Sequence, residues 1–418
     1  MESSCDVIVI GAGLGGLRAA RDLADQGHSV VVLEARDRVG GRGRTSHLDG
    51  RLVELGGSWF TPEHVQVKAE LERYGQATRD FPTQLHARWR TAGELRRGLP
   101  VPWHELPSLE RALVQVAADA AAYTAGTFTG ADRSALEYID ALEPTPGVRD
   151  FLLGWWQLMG GAPPASGSVV DAIGPIASHD GLSGLVTCLA HGPAGGWSAL
   201  AEALAADGIS VELDAPVTAV HIADTATCTT ADGRTWHARA VVIAVPVNCL
   251  PAITCTPGWP QPVAEAAGAN AGAALKVLML VRGIEPHGIA VGVGHGLHWW
   301  YADDAVDDVV RVTGFGWTTA DFDPASRTDV ERALHAFFPE GELLEFTHHD
   351  WVGDRHSLGT WLTAPAGRAD LVNPARFAPF ACAAFAGSDV AHEEAGWFEG
   401  ALVSGAAAAA QIHTLLLG

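Results

Sequence analysis

The fold is decided by the run Asp6-Val7-Ile8-Val9-Ile10-Gly11-Ala12-Gly13-Leu14-Gly15-Gly16 and by Ser29-Val30-Val31-Val32-Leu33-Glu34 downstream of it. Residues 6–10 are β-branched and nearly all apolar, the composition of a parallel strand covered on both faces. Gly11, Gly13 and Gly16 complete a G-x-G-x-x-G turn, with Gly15 inside it. The pattern predicts a helix over 14–26 stopped by Gly27, then a strand over 29–33 ending at Glu34, about 20 residues past the glycines. Such glycines let the backbone turn tightly and let a pyrophosphate approach the helix N-terminus, where free N–H groups and the helix dipole favour anions. Glu34 stands where a carboxylate accepts both hydroxyls of an adenosine ribose. A merely flexible glycine loop does not account for the order strand, turn, helix, strand, acid.

Beyond Glu34, Ala35-Arg36-Asp37-Arg38-Val39 leads into Gly40-Gly41-Arg42-Gly43-Arg44-Thr45. Another glycine pair follows in Glu54-Leu55-Gly56-Gly57-Ser58-Trp59. A pair straight after the ribose acid lets the chain double back close to the cofactor, and Arg42 and Arg44 add donors for phosphate oxygens. An extended, buried FAD uses these close approaches. A nicotinamide dinucleotide has no evident need of them.

The 418 residues are enough for two or three domains, and 48% apolar with 18% charged residues supplies a large core and excludes wholesale disorder. The formal net charge of −22 repels phosphate backbones and anionic lipid, which argues against nucleic-acid and membrane-surface roles. Cys5, Cys188, Cys228, Cys249, Cys255 and Cys382 form no C-x-x-C pair and read as single thiols of a reduced, cytoplasmic protein. Residues 1–6 carry no basic leader pattern. The apolar tail over 401–418 is interrupted by Ser404, Gly405, Gln411, His413 and Thr414, and reads as a buried helix rather than a membrane span.

Strands are predicted over 209–213, 217–222, 226–230 and 240–245, with Asp232-Gly233 as a hairpin turn. Residues 79–189 show few strand signals and read as helices, one over 109–125, with loops at 143–147 and 160–167. Residues 273–281 and 309–317 read as strands of a second sheet. Asp303, Asp304, Asp307 and Asp308 read as a solvated acidic loop. His295, His298, His348 and His349 lack the carboxylate or cysteine that would complete a metal shell, so no metal is expected.

On these residues the chain resembles the flavin-containing amine oxidases, a superfamily that includes monoamine oxidases, polyamine oxidases, L-amino-acid oxidases and bacterial nicotine-pathway oxidases. The resemblance opens with 6–42 and recurs in Gly195-Gly196-Trp197-Ser198-Ala199-Leu200, Val217 and Ala240-Val241-Val242-Ile243-Ala244-Val245-Pro246. It closes with Phe385-Ala386-Gly387-Ser388-Asp389 and Gly396-Trp397-Phe398-Glu399-Gly400-Ala401. The spacing of Phe151-Leu152-Leu153, Leu275-Lys276-Val277 and Gly387-Ser388-Asp389-Val390 is most similar to the 6-hydroxynicotine oxidase-like bacterial branch. The resemblance implies an α/β fold with two domains, as in monoamine oxidases. A Rossmann-type FAD-binding domain over 1–78, 195–262 and 366–418 is interleaved with an α+β substrate domain over 79–194 and 263–365. It implies FAD contacts from Gly11, Gly13, Gly15, Gly16, Glu34, Ala35, Arg36, Gly41, Arg42, Gly57, Ser58, Val217, Gly387, Ser388, Asp389 and Phe398.

Lys68 and Lys276 are the only lysines. Strand alternation puts Lys276 on one face with Ala274, Leu278 and Leu280, an apolar setting in which an ammonium is costly unless paired or neutralised. A lysine snorkelling out at a strand edge is the plain alternative. The resemblance implies the family lysine that holds a water at flavin N5 and assists dioxygen. By the same resemblance Trp361 and Trp397 are the two aromatic walls of a substrate slot, against the plain alternative of core packing. Trp59, Trp156 and Gln157 would line that slot, with Gln157 a hydrogen-bonding partner for a polar substrate group. Thr360 stands where mammalian monoamine oxidases carry a flavin-linking cysteine, so non-covalent FAD is expected.

The implied reaction takes a hydride from a small amine to flavin, with dioxygen as acceptor and hydrogen peroxide as product. An L-amino-acid oxidase would need an arginine facing the flavin, for which Arg88, Arg90 and Arg311 are candidates. A dehydrogenase or desaturase with another acceptor, and a non-catalytic flavoprotein, are the remaining readings. A homodimer is the assembly to test for.

Overall fold

The computed structural model describes residues 3–130, 133–179, 181, 184 and 189–418; Met1, Glu2 and Cys188 lie outside them. The glycine turn joins β1 (Ser3–Ile10) to α1 (Leu14–Asp25), which leads to β2 (Val30–Leu33). β1 pairs in parallel with β2 on one side, Val7 opposite Val30 and Ile10 opposite Leu33. On its other side it pairs in parallel with β12 (Thr235–Ile243), Ile10 opposite Ile243. The carboxyl end of β1 therefore lies where the chain departs to opposite sides, the place at which open α/β sheets bind ligands. Val7, Ile8 and Val9 have no exposed surface, as a strand covered on both faces requires.

Around this pair the remaining strands are β9 (Ser210–Glu212), β10 (Val217–Ile222), β11 (Ala226–Thr230), β13 (Thr254–Thr256) and β19 (Ala383–Phe385). The sheet runs β13-β10-β11-β12-β1-β2-β9, with β19 parallel to β12. One apolar core joins it to α1, the helix Trp197–Ala205 and the C-terminal helix Phe398–Leu417. That last helix is long and apolar enough to cross a membrane by length and composition, and here it packs against α1 and β12.

The second sheet runs β18-β14-β17-β16-β15-β6-β7. Its strands are β6 (His86–Thr91), β7 (Glu94–Arg97), β14 (Ala274–Arg282), β15 (Gly288–Gly292), β16 (Leu297–Val306), β17 (Val309–Trp317) and β18 (Glu342–His348). One face packs on the helix Arg327–His335. The other meets the hairpin of β3 (Thr45–Leu48) and β4 (Arg51–Glu54), through Leu48, Val53 and Leu55 against Leu278 and Leu280. Four helices, α3 (Leu106–Thr124), α4 (Ala135–Ala141), α5 (Pro146–Met159) and α6 (Val170–Ser178), pack beside it, α5 lying across β6, β15 and β16.

Three expectations change. The segment read as helical from residue 79 begins instead with β5 (Thr78–Asp80), β6 and β7. β6 carries charges at alternate positions, and Arg88 hides in the sheet because Glu340 and the Phe337 carbonyl accept its N–H groups. The fourth strand of the meander starts at Thr235 rather than 240, extended by its hairpin with β11 around Asp232-Gly233. Asp303 is not solvated: it is 3% exposed and bonded by Arg79 (2.6 Å) and Arg311, while Asp307 and Asp308 form the positive-φ turn into β17. Among the described residues Cys5, Cys228, Cys249, Cys255 and Cys382 are free thiols, and no group of three or more side chains is placed to hold a metal.

Candidate active site

At the glycine turn, an added Cβ on Gly16 would lie 2.1 Å from the Gly11 carbonyl oxygen, and one on Gly15 would lie 2.9 Å from the Gly387 nitrogen. On Gly13 and Gly387 it would meet nothing within 4 Å. The turn is thus closed toward the protein and open at Gly13, where α1 starts with no side-chain cap on its N–H groups. Glu34 is buried; one carboxylate oxygen accepts the Ala12 N–H (2.7 Å) and the other the Arg36 N–H (2.9 Å). Gly41 passes close to the Gly13 backbone. The Ala215 N–H donates to the Glu34 carbonyl and the Asp214 N–H to that of Arg36, two residues before Val217 opens β10. The open, uncapped helix end and the buried acid beyond β2 fit the pyrophosphate and ribose of FAD.

Not every candidate donor here is free. Arg42 donates to the Thr360 carbonyl (2.6 Å), Ser388 Oγ (3.0 Å) and Asp389 Oδ1 (2.5 Å), and Arg44 bonds His349. The second oxygen of Asp389 accepts the Val247 N–H. Arg42 therefore ties the early glycine segment to the closing motif. Phe398 fills the space that glycine leaves at position 57, where a Cβ would lie 2.5 Å from its ring, and stacks on Trp197 at 3.8 Å.

Lys276 does not snorkel. It is 7% exposed, and its Nζ donates to the carbonyls of Glu54 (2.5 Å) and Gly56 (2.7 Å) and to Ser58 Oγ (2.5 Å). The rings of Trp59 and Phe315 each lie 5.7 Å from it. Burial pushes the ammonium down to about 7 against the nearby Glu54 charge, and burial pushes Glu54 up to about 7.

An aromatic cluster surrounds this ammonium. Trp59 touches Phe81, Trp299, Tyr301 and Phe315 at centroid distances of 5.7–6.3 Å. Trp361 joins through Phe315 (6.3 Å), and Trp155 and Leu158 of α5 pack against the same cluster. Trp397 comes from the adjoining loop, since Gly396 lies against Trp361, but its ring rests on His64 (5.2 Å) and His179 (6.3 Å). His64 in turn bonds Glu394 (3.3 Å).

Trp156 stands apart from the cluster. Trp156 donates to the Ala162 carbonyl (2.8 Å) and packs on Gly160 and Gly167. Gln157 has no exposed surface, and among the described residues both its amide atoms lack a partner. The helix turns about 100° per residue, so the side chain facing the cluster is Trp155. The arginines considered for a substrate carboxylate are committed elsewhere: Arg88 to Glu340, Arg90 to the Val293 carbonyl (2.6 Å), Arg311 to Asp303 and the Leu52 carbonyl (2.7 Å). Sequence reading did not find Glu54, Phe315 or His64. Phe315 is the antiparallel partner of Lys276, a pairing that only the register supplies.

The family described as flavin containing amine oxidoreductase matches residues 14–413. The chain is 31% identical to (S)-6-hydroxynicotine oxidase of Paenarthrobacter nicotinovorans, over 95% of this chain and 96% of that one. It is 26% identical to pseudooxynicotine dehydrogenase of a Pseudomonas species, over 99% and 87% of the two chains. Among solved structures, cyclohexylamine oxidase of Brevibacterium oxydans superposes with a TM-score of 0.85 at 21% identity, covering 99% of this chain and 100% of that one.

Proposed function

The chain belongs to the flavin-containing amine oxidoreductases, an FAD-dependent family that oxidises amines, and on that premise we propose a site in which Lys276 marks the flavin's reactive edge and Trp361 and Trp397 bound the amine. FAD, when bound, accepts the hydride from the carbon next to the amine nitrogen. The Rossmann-type glycine turn would hold its pyrophosphate, Glu34 its ribose, and the segments at Ala35, Arg36, Gly41, Arg42, Gly57, Ser58, Val217, Gly387, Ser388, Asp389 and Phe398 would enclose the rest. The eight-stranded sheet with its helices is read as the FAD-binding domain. The seven-stranded sheet with α3–α6 is read as the substrate domain. Trp59, Trp155, Phe315 and Trp361 exclude water and offer ring faces to the amine, so a neutral amine needs no side-chain base. Trp155 is the α5 tryptophan packed against this cluster. Thr360 offers no thiol, which supports non-covalent FAD.

One observation carries the reading: a buried lysine whose three acceptors all lie on the 54–58 turn, beside an aromatic cluster. It supports dioxygen as acceptor. The experiment is stopped-flow measurement of each half-reaction. Lys276→Met is expected to slow reoxidation by dioxygen at least about tenfold, while anaerobic reduction by amine changes about twofold or less. Equal losses in both would remove the assigned role. A relative named as a dehydrogenase keeps a second reading, another electron acceptor, in play. Peroxide formed in step with amine consumed selects dioxygen.

A further inference from the structure

The hydrogen bonds of Lys276 leave its ammonium nothing to offer a neighbour directly. An ammonium has three N–H groups and no acceptor. All three are taken, by the Glu54 and Gly56 carbonyls and by Ser58 Oγ. The two carbonyls can only accept. Ser58 alone among them carries a proton of its own, and it is half-buried next to the exposed backbone of Gly57.

We propose that the Ser58 hydroxyl is the exit for a proton stored on Lys276, with the Glu54 carboxylate as the counter-charge behind it. The proposal rests on the amine-oxidising reading with dioxygen as acceptor. If Lys276 gives up one proton, the neutral amine still donates to both carbonyls and its lone pair accepts the Ser58 O–H. No hydrogen bond is lost in either state, because Ser58 reverses its direction. Glu54 is built to follow. Its Oε1 accepts from the Thr45 hydroxyl (2.9 Å) and the Trp197 N–H (3.0 Å), and its buried Oε2 has no partner among the described residues. Arg311 also acts on Glu54 and is committed to Asp303, itself shared with Arg79. Across the strand pair Lys276 stands opposite Phe315, and Trp59 flanks it. Opposed burial effects leave both protonation states of Lys276 and Glu54 within reach near neutral pH.

The balance is simple. Reduction of dioxygen to hydrogen peroxide consumes two electrons and two protons. The reduced cofactor supplies both electrons and one proton. The second proton leaves the Ser58 O–H, which is remade by breaking one Lys276 N–H bond, and solvent later restores the ammonium.

The scarcity of lysine makes the test direct, since lysine labelled with carbon-13 gives side-chain signals from Lys68 and Lys276 alone. In the wild-type holoenzyme the Lys276 signal should titrate between about pH 5 and about pH 9, well below the ordinary lysine range. Ser58→Ala should lower that midpoint and slow reoxidation by dioxygen at least about tenfold. Ser58→Thr, which keeps the hydroxyl, should restore the reoxidation rate. The proposal is overturned if Lys276 does not titrate in that range, if Ser58→Ala reoxidises at the wild-type rate, or if Ser58→Thr stays slow. A wild-type flavin that no amine bleaches would instead defeat the reading on which the proposal rests.

Discussion

A methyl group on residue 16 would lie 2.1 Å from the Gly11 carbonyl oxygen, inside any permitted contact, and the obstacle is backbone that cannot rotate away. Gly16→Ala should therefore open the turn, and the purified variant should retain little flavin at a concentration where the wild type is saturated; full flavin content would contradict the assignment. At this scale the sequence was legible wherever chemistry stood against its surroundings. Lys276 showed itself because Leu278 and Leu280 share its face, and those residues do pack in the core with Val53 and Leu55. Glu54 did not, because an acid beside a glycine pair looks like any turn residue until β14 is laid against it. Arg42 was read as a phosphate donor from its place among glycines. Its pairing with Asp389 depends on a contact 347 residues away along the chain.

Elements were legible by periodicity and misread where polarity concealed it. β1, α1 and β2 follow from their patterns alone. β6 did not, because a strand alternating His86, Arg88 and Arg90 looks solvated until partners for the guanidinium groups are known. On α5 the face was the difficulty, since neighbouring tryptophans 155 and 156 diverge by a helical step and only one meets the cluster. Leu278, 2% exposed at the centre of β14, gives a packing test: Leu278→Ala should cost about 2–4 kcal/mol in chemical unfolding. α6 gives a pH test. Asp171 in its first turn accepts the Ala364 N–H (2.8 Å) from the loop that carries Trp361, and desolvation pushes its carboxyl up to about 8. Its folded pKa is above the unfolded value, so its contribution is complete below about pH 4 and is lost as pH rises to about 8. Asp171→Asn keeps an acceptor and cannot ionise. The melting temperature of the wild type should fall relative to this variant across that window and track it above; parallel curves throughout would refute the assignment.

For the molecule as a whole, the order of sheets matters more than any single motif. The parallel strands put an open helix end and a buried acid at one place, and the second sheet carries a lysine to the turn that follows. The first half of that arrangement could be read from 6–34, because strand, turn, helix and acid are contiguous. The second half could be expected only through resemblance, because Ser58, Lys276, Phe315 and Trp361 are far apart in the chain and meet through strand register and loop packing. Trp361→Ala should leave flavin binding intact and weaken or slow reduction by amine, since it removes a ring face of the slot and touches nothing assigned to the dinucleotide end; unchanged reduction kinetics would place the amine elsewhere.

The central claim is that this chain holds an FAD whose reactive edge faces the Lys276–Ser58 turn and is reduced by an amine. Mixing the purified, oxidised holoenzyme with a panel of primary, secondary and cyclic amines in the absence of oxygen tests it most directly. The account predicts that at least one amine bleaches the flavin's visible absorbance in a single enzyme equivalent and that admitting air restores the absorbance with release of hydrogen peroxide. A flavin that dithionite bleaches but no amine does would contradict it.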